Sequence, residues 1–281
     1  MGGANMRIGL VQSNSVLGDV EANLRRAIAW VREAAGLGCQ IVIFPELYLQ
    51  GYRADEEFRV SAITWDGDAS NELRRLADET GTTVVIGAAR ADRGFPHLVY
   101  NSALVALPEA EGGYYDKTHL GNYDRYKEGL YFAPGGTIPV FEAEWGRFGV
   151  EICYDMRYPE VARSLALAGI ELHVVLSAGG SEFHSTWDSL LSARSYENAF
   201  FTAYVNAVGV QRDDTFYGGS RVVGPDGETV KRASQGTEEL TCCDIDLAQV
   251  RAERRRTLLF RDRRPEVYRL GAGLGGMATA W

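Results

Sequence analysis

The sequence predicts a mixed α/β layered domain built as a single unit, on three observations. Short β-type runs alternate with helical patterns along the 281 residues. Some strand runs follow one another through hairpin-type turns rather than helices, which argues against a purely parallel sheet. No linker, internal repeat or low-complexity tract is evident before the Gly/Ala-rich stretch after Leu270. One domain over residues 1–270 with a C-terminal tail over 271–281 is therefore expected. At 46% hydrophobic residues, the chain can bury a large core.

In chain order, "MRIGLVQ" reads as the first strand. "DVEANLRRAIAWVREAAGLG" reads as a helix, with Asp19 as N-cap, Leu24, Ile28, Val31 and Ala35 as an apolar stripe, and Gly36 or Gly38 at its end. "CQIVIF" is a buried strand stopped by Pro45, and helix "SNELRRLADETG" leads to strand "TTVVIGAAR". Three strand-type segments follow, "NSALVAL", "GYYDK" and "IPVFEAEWGRFGVEIC", the last with a hairpin turn around "EWGR". Helix "PEVARSLALAG", strand "ELHVVLSA", a helix through "STWDSLLSARSYENA" and strand "FFTAYVNAVG" come next. The hairpin "GSRVVGPDGETVKRA" turns at Pro225, Asp226 and Gly227 before a last strand, "ELTCCDIDL".

Composition excludes several classes. Net charge is −9 with acids and bases interleaved, which disfavours a nucleic-acid binder needing a basic face. The basic cluster "RAERRR" and "RDRRPE" also carries Glu253, Asp262 and Glu266, and reads as a salt-bridged surface or a subunit contact. Apolar runs such as "IVIF" and "LHVVLS" are strand-sized, far short of a membrane span. "MGGANMRIGL" lacks an apolar stretch of signal-peptide length, so a cytoplasmic location is expected. Cys39, Cys153, Cys242 and Cys243 make no disulfide framework in a chain this long, and the adjacent pair should face opposite ways in a strand. No CxxC or HxxxH spacing occurs, so no metal site is predicted. "GAGLGG" near the end matches a dinucleotide-loop pattern by letters only, having no strand before it and no helix after it.

Three ionisable residues end β-type runs: Glu46 after "IVIF" and Pro45, Lys117 after "YYD", and Cys153 after "FGVEI". Each alone has a bland reading as loop cap, solvated lysine or core thiol. Together they form a chemical set, because a thiol needs a base to become a thiolate and an ammonium can hold an oxyanion. Strand carboxyl ends gather at one rim in α/β proteins, which gives a way for them to meet. Pro159 suits a first helical turn, so a helix dipole is expected to lower the Cys153 pKa and to leave the Tyr154 N–H free for an oxyanion.

The segments "FPELYLQGY", "YDKTHL" and "GVEICYDMRYPE" resemble the three signature segments of the nitrilase (carbon–nitrogen hydrolase) superfamily. "YKEGLYFAPG", "ARSYENAFFTAYVNAVG", "YGGSRVVGPDGE" and "RRPEVY" extend the resemblance from about Met6 to Leu270. The resemblance implies a four-layer α-β-β-α sandwich. It also implies Glu46 as general base, Lys117 as oxyanion holder, Cys153 as nucleophile and Glu128 as the second glutamate that positions lysine and substrate. From the residues alone Glu128 reads as a solvated loop position.

"CYDMRYPE" is similar to amidase and carbamoylase branches rather than to nitrilases, which more often carry Cys-Trp-Glu. A small linear carboxamide is therefore the expected substrate, cleaved to acid and ammonia through a thioester. The alternatives are an N-carbamoyl amino acid, a nitrile, acyl transfer to an amine, and a non-catalytic interaction protein. Arg157 stands where carbamoyl-amino-acid hydrolases bind a carboxylate, although it could equally pair with Asp155 or Glu160. Tyr48, Tyr52, Tyr123, Tyr126 and Trp187 lie in segments that could line an aromatic pocket, and Tyr52, Tyr154, Arg157 and Trp187 are the substrate-binding candidates. No cofactor is implied, since thiol, carboxylate and ammonium complete the chemistry. The resemblance also implies a homodimer or higher homo-oligomer through the flanking helices, with "PEVARSLALAG" and "STWDSLLSARSYENA" as candidate contacts.

Overall fold

The computed structural model describes residues 5–53 and 55–268. Strand β1 (Asn5–Gln12) leads through helix α1 (Val20–Gly36) to β2 (Ile41–Ile43). A short helix α2 (Phe58–Ser61) and helix α3 (Asp68–Thr80) lead on to β3 (Thr83–Ala91), β4 (Val99–Leu107) and β5 (Ala110–Asp116). The second half starts with β6 (Val140–Ala143) and runs β7 (Gly146–Ile152), α4 (Pro159–Leu167), β8 (Leu172–Ser177), α5 (His184–Asn198) and β9 (Phe201–Asn206). A separate hairpin, β10 (Val208–Gln211) with β11 (Asp214–Tyr217), precedes β12 (Arg221–Val223) and β13 (Thr229–Arg232). Strand β14 (Glu239–Asp246) returns to the first sheet, and helix α6 (Ala248–Thr257) follows.

Two six-stranded sheets result, ordered β14-β1-β2-β3-β4-β5 and β13-β12-β9-β8-β7-β6. In the first, β1, β2 and β3 are parallel neighbours while β14, β4 and β5 join antiparallel. In the second, β7, β8 and β9 are parallel and β6, β12 and β13 antiparallel. Both halves thus share one pattern of pairing and connection, with α1 and α3 in the first matching α4 and α5 in the second. No repeat is legible in the amino-acid sequence, because the pattern needs only apolar strands and crossover helices rather than identical residues.

The core divides accordingly. Ile8, Leu10, Ile41, Ile43, Val85 and Val105 of the first sheet meet Phe148, Val150, Ile152, Val174, Leu176 and Val205 of the second. Alternate residues such as Val42, Val84 and Ile86 face α1 and α3, while Leu165 of α4 and Leu191 of α5 cover the second sheet. This is the four-layer α-β-β-α sandwich. A strand covered on both faces runs mostly apolar, as the fully buried β3 does apart from Thr83 and Arg90, the latter paired with Asp116. The edge strand β13, "TVKR", is exposed along its length and carries the polar residues that blunt an edge.

Asp19 caps α1, its carboxylate accepting from the Ala22 N–H. The buried stripe of α1 is Asn23, Ala27, Val31 and Ala34, one step round from the predicted one. Small alanines let the helix lie close to the sheet, and the Asn23 amide satisfies the backbone of Val16 and Leu49. The predicted strand "FFTAYVNAVG" breaks after Asn206, and Gly209 adopts a φ of +91° in the β10–β11 hairpin, which the sequence reading missed along with α2 and α6. The "RAERRR" part of the basic cluster lies in α6, where Arg254 donates to the carbonyls of Ile170 and Ala199 and Arg251 pairs with Glu171. Cys243 packs between the sheets and Cys242 faces the α1 side, opposite each other as expected. "GAGLGG" lies outside the described residues. Among the described residues no helix is long and apolar enough to cross a membrane.

Candidate active site

Glu46 follows β2 after Phe44 and Pro45, in a segment that crosses Gly87 of β3. A Cβ at Gly87 would lie 2.3 Å from the Pro45 oxygen and 2.4 Å from the Leu47 nitrogen, so only glycine lets the segment lie there. Leu47 completes the bend with a φ of +50°. The buried Glu46 carboxylate accepts from Lys117 Nζ at 2.7 Å and Asn101 Nδ2 at 2.8 Å on Oε1, and from the Ala178 N–H at 3.0 Å on Oε2. Lys117 follows β5, and its Nζ also donates to Glu128 Oε1 at 2.8 Å. Glu128 opens a one-turn 3₁₀ helix and is itself held by Tyr52 OH and the Gly121 N–H, both at 2.8 Å. The solvated-loop reading of Glu128 is thereby corrected: it is buried on Lys117.

Cys153 stands at the carboxyl end of β7 with a φ of +45°, a left-handed conformation that a non-glycine residue adopts under constraint. The constraint is visible in Asp155, which is fully buried. Its Oδ2 accepts from the Ile152 N–H and Tyr115 OH, and its Oδ1 from the Thr118 hydroxyl and the His119 N–H. One carboxylate therefore ties the turn carrying Cys153 to the segment carrying Lys117. The turn itself is a 3₁₀ helix (Cys153–Arg157), whose first N–H groups, including that of Tyr154, have no acceptor within it.

The electrostatics correct one expectation. The Cys153 thiol is pushed well up, by burial first and then by the Glu46 charge, with Lys117 and the Ser177 hydroxyl opposing. Helix α4 begins only at Pro159, six residues on, so its dipole does not reach the sulfur as the sequence suggested. Burial also raises the Glu46 pKa, against the pull of Lys117 and with help from Glu128. For Lys117, burial alone would lower the pKa, yet the charges of Glu128 and Glu46 carry it well above its ordinary value. Both directions favour a charged ammonium and a protonated sulfur.

Lys117, Glu128 and Cys153 line one small cavity of about 10 Å³, walled by Tyr52, Tyr123, Tyr126, Tyr154, Phe183 and Trp187. Tyr52 reaches it mainly as the Glu128 partner. Tyr48 does not line it; that ring packs on Phe44 in the layer under α1 and α3. Among the described residues the buried Trp187 indole Nε1 has no partner, and it lies against Gly179, where a Cβ would come within 2.7 Å. Arg157 is exposed above the cavity, its guanidinium 5.3–5.9 Å from the ring centres of Tyr123, Tyr154, Phe183 and Trp187. Among the described residues it pairs with neither Asp155 nor Glu160, nor with any other acid.

Sequence reasoning missed Asn101, Asp155, Ser177, the Ala178 N–H and Phe183. The signal for Ser177 and Ala178 was available, since Ser177 ends "LHVVLS" and Ala178 follows it, at another strand whose carboxyl end reaches the same rim. Asn101 lies mid-strand in β4 and reads as an ordinary strand residue.

A family model described as "Carbon-nitrogen hydrolase" matches residues 7–255. The chain is 32% identical to a nitrilase of Pyrococcus abyssi, over 94% of this chain and 99% of that protein. It is also 32% identical to an (R)-stereoselective amidase of a Pseudomonas species, over 92% of each. Among solved structures, a mutant of the Nesterenkonia sp. AN1 amidase superposes with a TM-score of 0.80 at 27% identity, covering 95% of this chain and 96% of that one. That amidase carries the acetamide moiety of fluoroacetamide covalently on its active-site cysteine. The chain belongs to the carbon–nitrogen hydrolase family of the nitrilase superfamily.

Proposed function

We propose that this C–N hydrolase is a cysteine-dependent amidase that cleaves a small linear carboxamide to acid and ammonia. The observation that carries this is the buried Glu46–Lys117–Glu128 cluster, whose lysine and second glutamate share a cavity with Cys153. Glu46 takes the Cys153 proton as the sulfur attacks the carbonyl carbon. Lys117 and the Tyr154 N–H hold the oxyanion. Glu46, whose raised pKa suits it to carry that proton, delivers it to the leaving nitrogen, and ammonia departs from a thioester. A water deprotonated by Glu46 then attacks the thioester and frees the acid.

A cavity of about 10 Å³ holds about one water, which favours a small acyl group. The unpartnered Trp187 Nε1–H offers a donor to a polar substrate atom. The unpaired Arg157 above the cavity favours a second reading, a substrate with a distal carboxylate such as an N-carbamoyl amino acid. Ammonia release across amides, carbamoyl amino acids and nitriles tests both, with Cys153→Ala as control. Turnover of nitriles without amides would overturn the amidase reading.

We also infer a homodimer through α4 and α5, which expose Leu167 and Tyr196 and border a groove of about 630 Å³ lined by Glu160, Arg163 and Tyr268. Light scattering at the monomer mass would refute it.

A further inference from the structure

We propose that Ser177 is a catalytic hydrogen-bond donor to the Cys153 sulfur, aimed by a buried relay of Tyr204 and Tyr217. The proposal rests on Cys153 being the nucleophile. Ser177 closes β8 with its hydroxyl 3.4 Å from Cys153 Sγ. Tyr204 OH donates to Ser177 Oγ at 3.3 Å, and the Tyr217 hydroxyl lies 3.2 Å from that of Tyr204. Ser177 and Tyr204 are fully buried and Tyr217 nearly so, so bulk water does not compete for these groups.

The direction of the relay follows from what each atom can do. A serine hydroxyl has one proton to give. Once Tyr204 donates to Ser177 Oγ, that proton is left for the sulfur. A thiolate can only accept, so its formation fixes the whole row pointing one way, from Tyr217 through Tyr204 and Ser177 to Sγ. Hydrogen bonds in such rows polarise one another, and more strongly where the surroundings are dry. As Cys153 loses its proton to Glu46, the negative charge left on sulfur meets a donor already in place. The same donor stabilises the sulfur as it leaves when the thioester is hydrolysed.

The neighbouring residue reinforces the arrangement. Ala178 presents its N–H to Glu46 Oε2, so the end of β8 supplies one donor to the nucleophile and the next to the base. The Ser177 bond is also among the contributions that lower the Cys153 pKa against burial.

The test is alkylation of Cys153 by iodoacetamide, followed by peptide mass spectrometry between pH 6 and 9, alongside steady-state ammonia release. A hydrogen bond to a charged group implies about a tenfold effect. Ser177→Ala is expected to slow Cys153 alkylation about tenfold and to lower kcat similarly, with KM within about twofold. The peptides bearing Cys39, Cys242 and Cys243 should label at unchanged rates, which separates the effect from general loosening. Tyr204→Phe should slow Cys153 labelling in the same direction by a smaller factor. Wild-type alkylation in Ser177→Ala overturns the proposal. If that variant does not fold, Tyr204→Phe decides alone, slower labelling supporting the relay and unchanged labelling overturning it. Activity retained by Cys153→Ala would instead overturn the parent reading, an outcome visible independently of Ser177.

Discussion

Replacing Glu128 with glutamine separates its charge from its shape. Lys117 Nζ lies 2.7 Å from Glu46 Oε1 and 2.8 Å from Glu128 Oε1, which caps the separation of those two oxygens at about 5.5 Å. At an effective dielectric of about 20, two negative charges that close repel by about 3 kcal/mol, or about two pK units. Glu128 pushes the Glu46 pKa up, so Glu128→Gln must let it fall. If Glu46 works as its carboxylate, the acid limb of kcat/KM moves to lower pH by up to about two units. The value belongs to the coupled cluster rather than to one residue.

The variant also has a cost that sets its amplitude. Three donors point at the Glu128 carboxylate: Lys117 Nζ, Tyr52 OH and the Gly121 N–H. Glutamine can keep its oxygen toward the first two, but its NH₂ then faces the Gly121 N–H. One buried donor left without an acceptor costs about 1–3 kcal/mol of stability. The assay is ammonia release from pH 4 to 10 with urea unfolding measured in parallel. An acid limb that stays put, or moves to higher pH, refutes the electrostatic reasoning.

Three further outcomes are expected. Glu46→Gln should lower kcat/KM about 10³–10⁴-fold, because one base is lost from a thiol that burial holds protonated; ammonia release within tenfold of wild type would count against it. Arg157→Ala should lower kcat/KM about tenfold for an amide bearing a distal carboxylate and leave a neutral amide unaffected, and equal losses on both substrates would remove Arg157 from carboxylate recognition. Gly87→Ala should destabilise by more than about 2 kcal/mol and cut activity at least tenfold, since backbone atoms of Pro45, Glu46 and Leu47 block the new methyl. Gly136→Ala, where a Cβ meets nothing within 4 Å, is its matched control by urea unfolding and ammonia release.

Glu46, Lys117 and Cys153 were legible because each follows a β-type run, and parallel strands end at a common rim. Glu46 and Lys117 do meet there, 71 positions apart, across β2 and β5 of the same sheet. Glu128 was not legible from its own neighbourhood, since a one-turn helix in a polar loop gives no periodic signal. Asp155 looked like a partner for Arg157, but local spacing says nothing of the Tyr115, Thr118 and His119 donors that claim it across the interface between the sheets. The same limit hid Gly87, whose absent side chain matters only because another strand's exit passes over it. Helix lengths and hairpins followed from apolar periodicity and turn residues; the β10–β11 hairpin did not, as its residues are mixed and its pairing is local.

The overturned expectation for the thiol makes the proposed mechanism more specific. With Cys153 as its thiol and both glutamates taken as carboxylates on the Lys117 ammonium, the site carries a net charge of −1. A free thiolate would add a second negative charge to a buried site, and burial first, then the Glu46 charge, oppose that. If the proton instead passes to Glu46 as sulfur attacks, the carboxylate is neutralised while the charge moves to the substrate oxygen. The total stays at −1 throughout. Glu128 then has a role that Glu46 cannot fill: once Glu46 is protonated, Glu128 is the remaining carboxylate on Lys117, and it keeps the ammonium charged when the oxyanion needs it. On this argument two glutamates share one lysine because one passes protons while the other holds the ammonium in place.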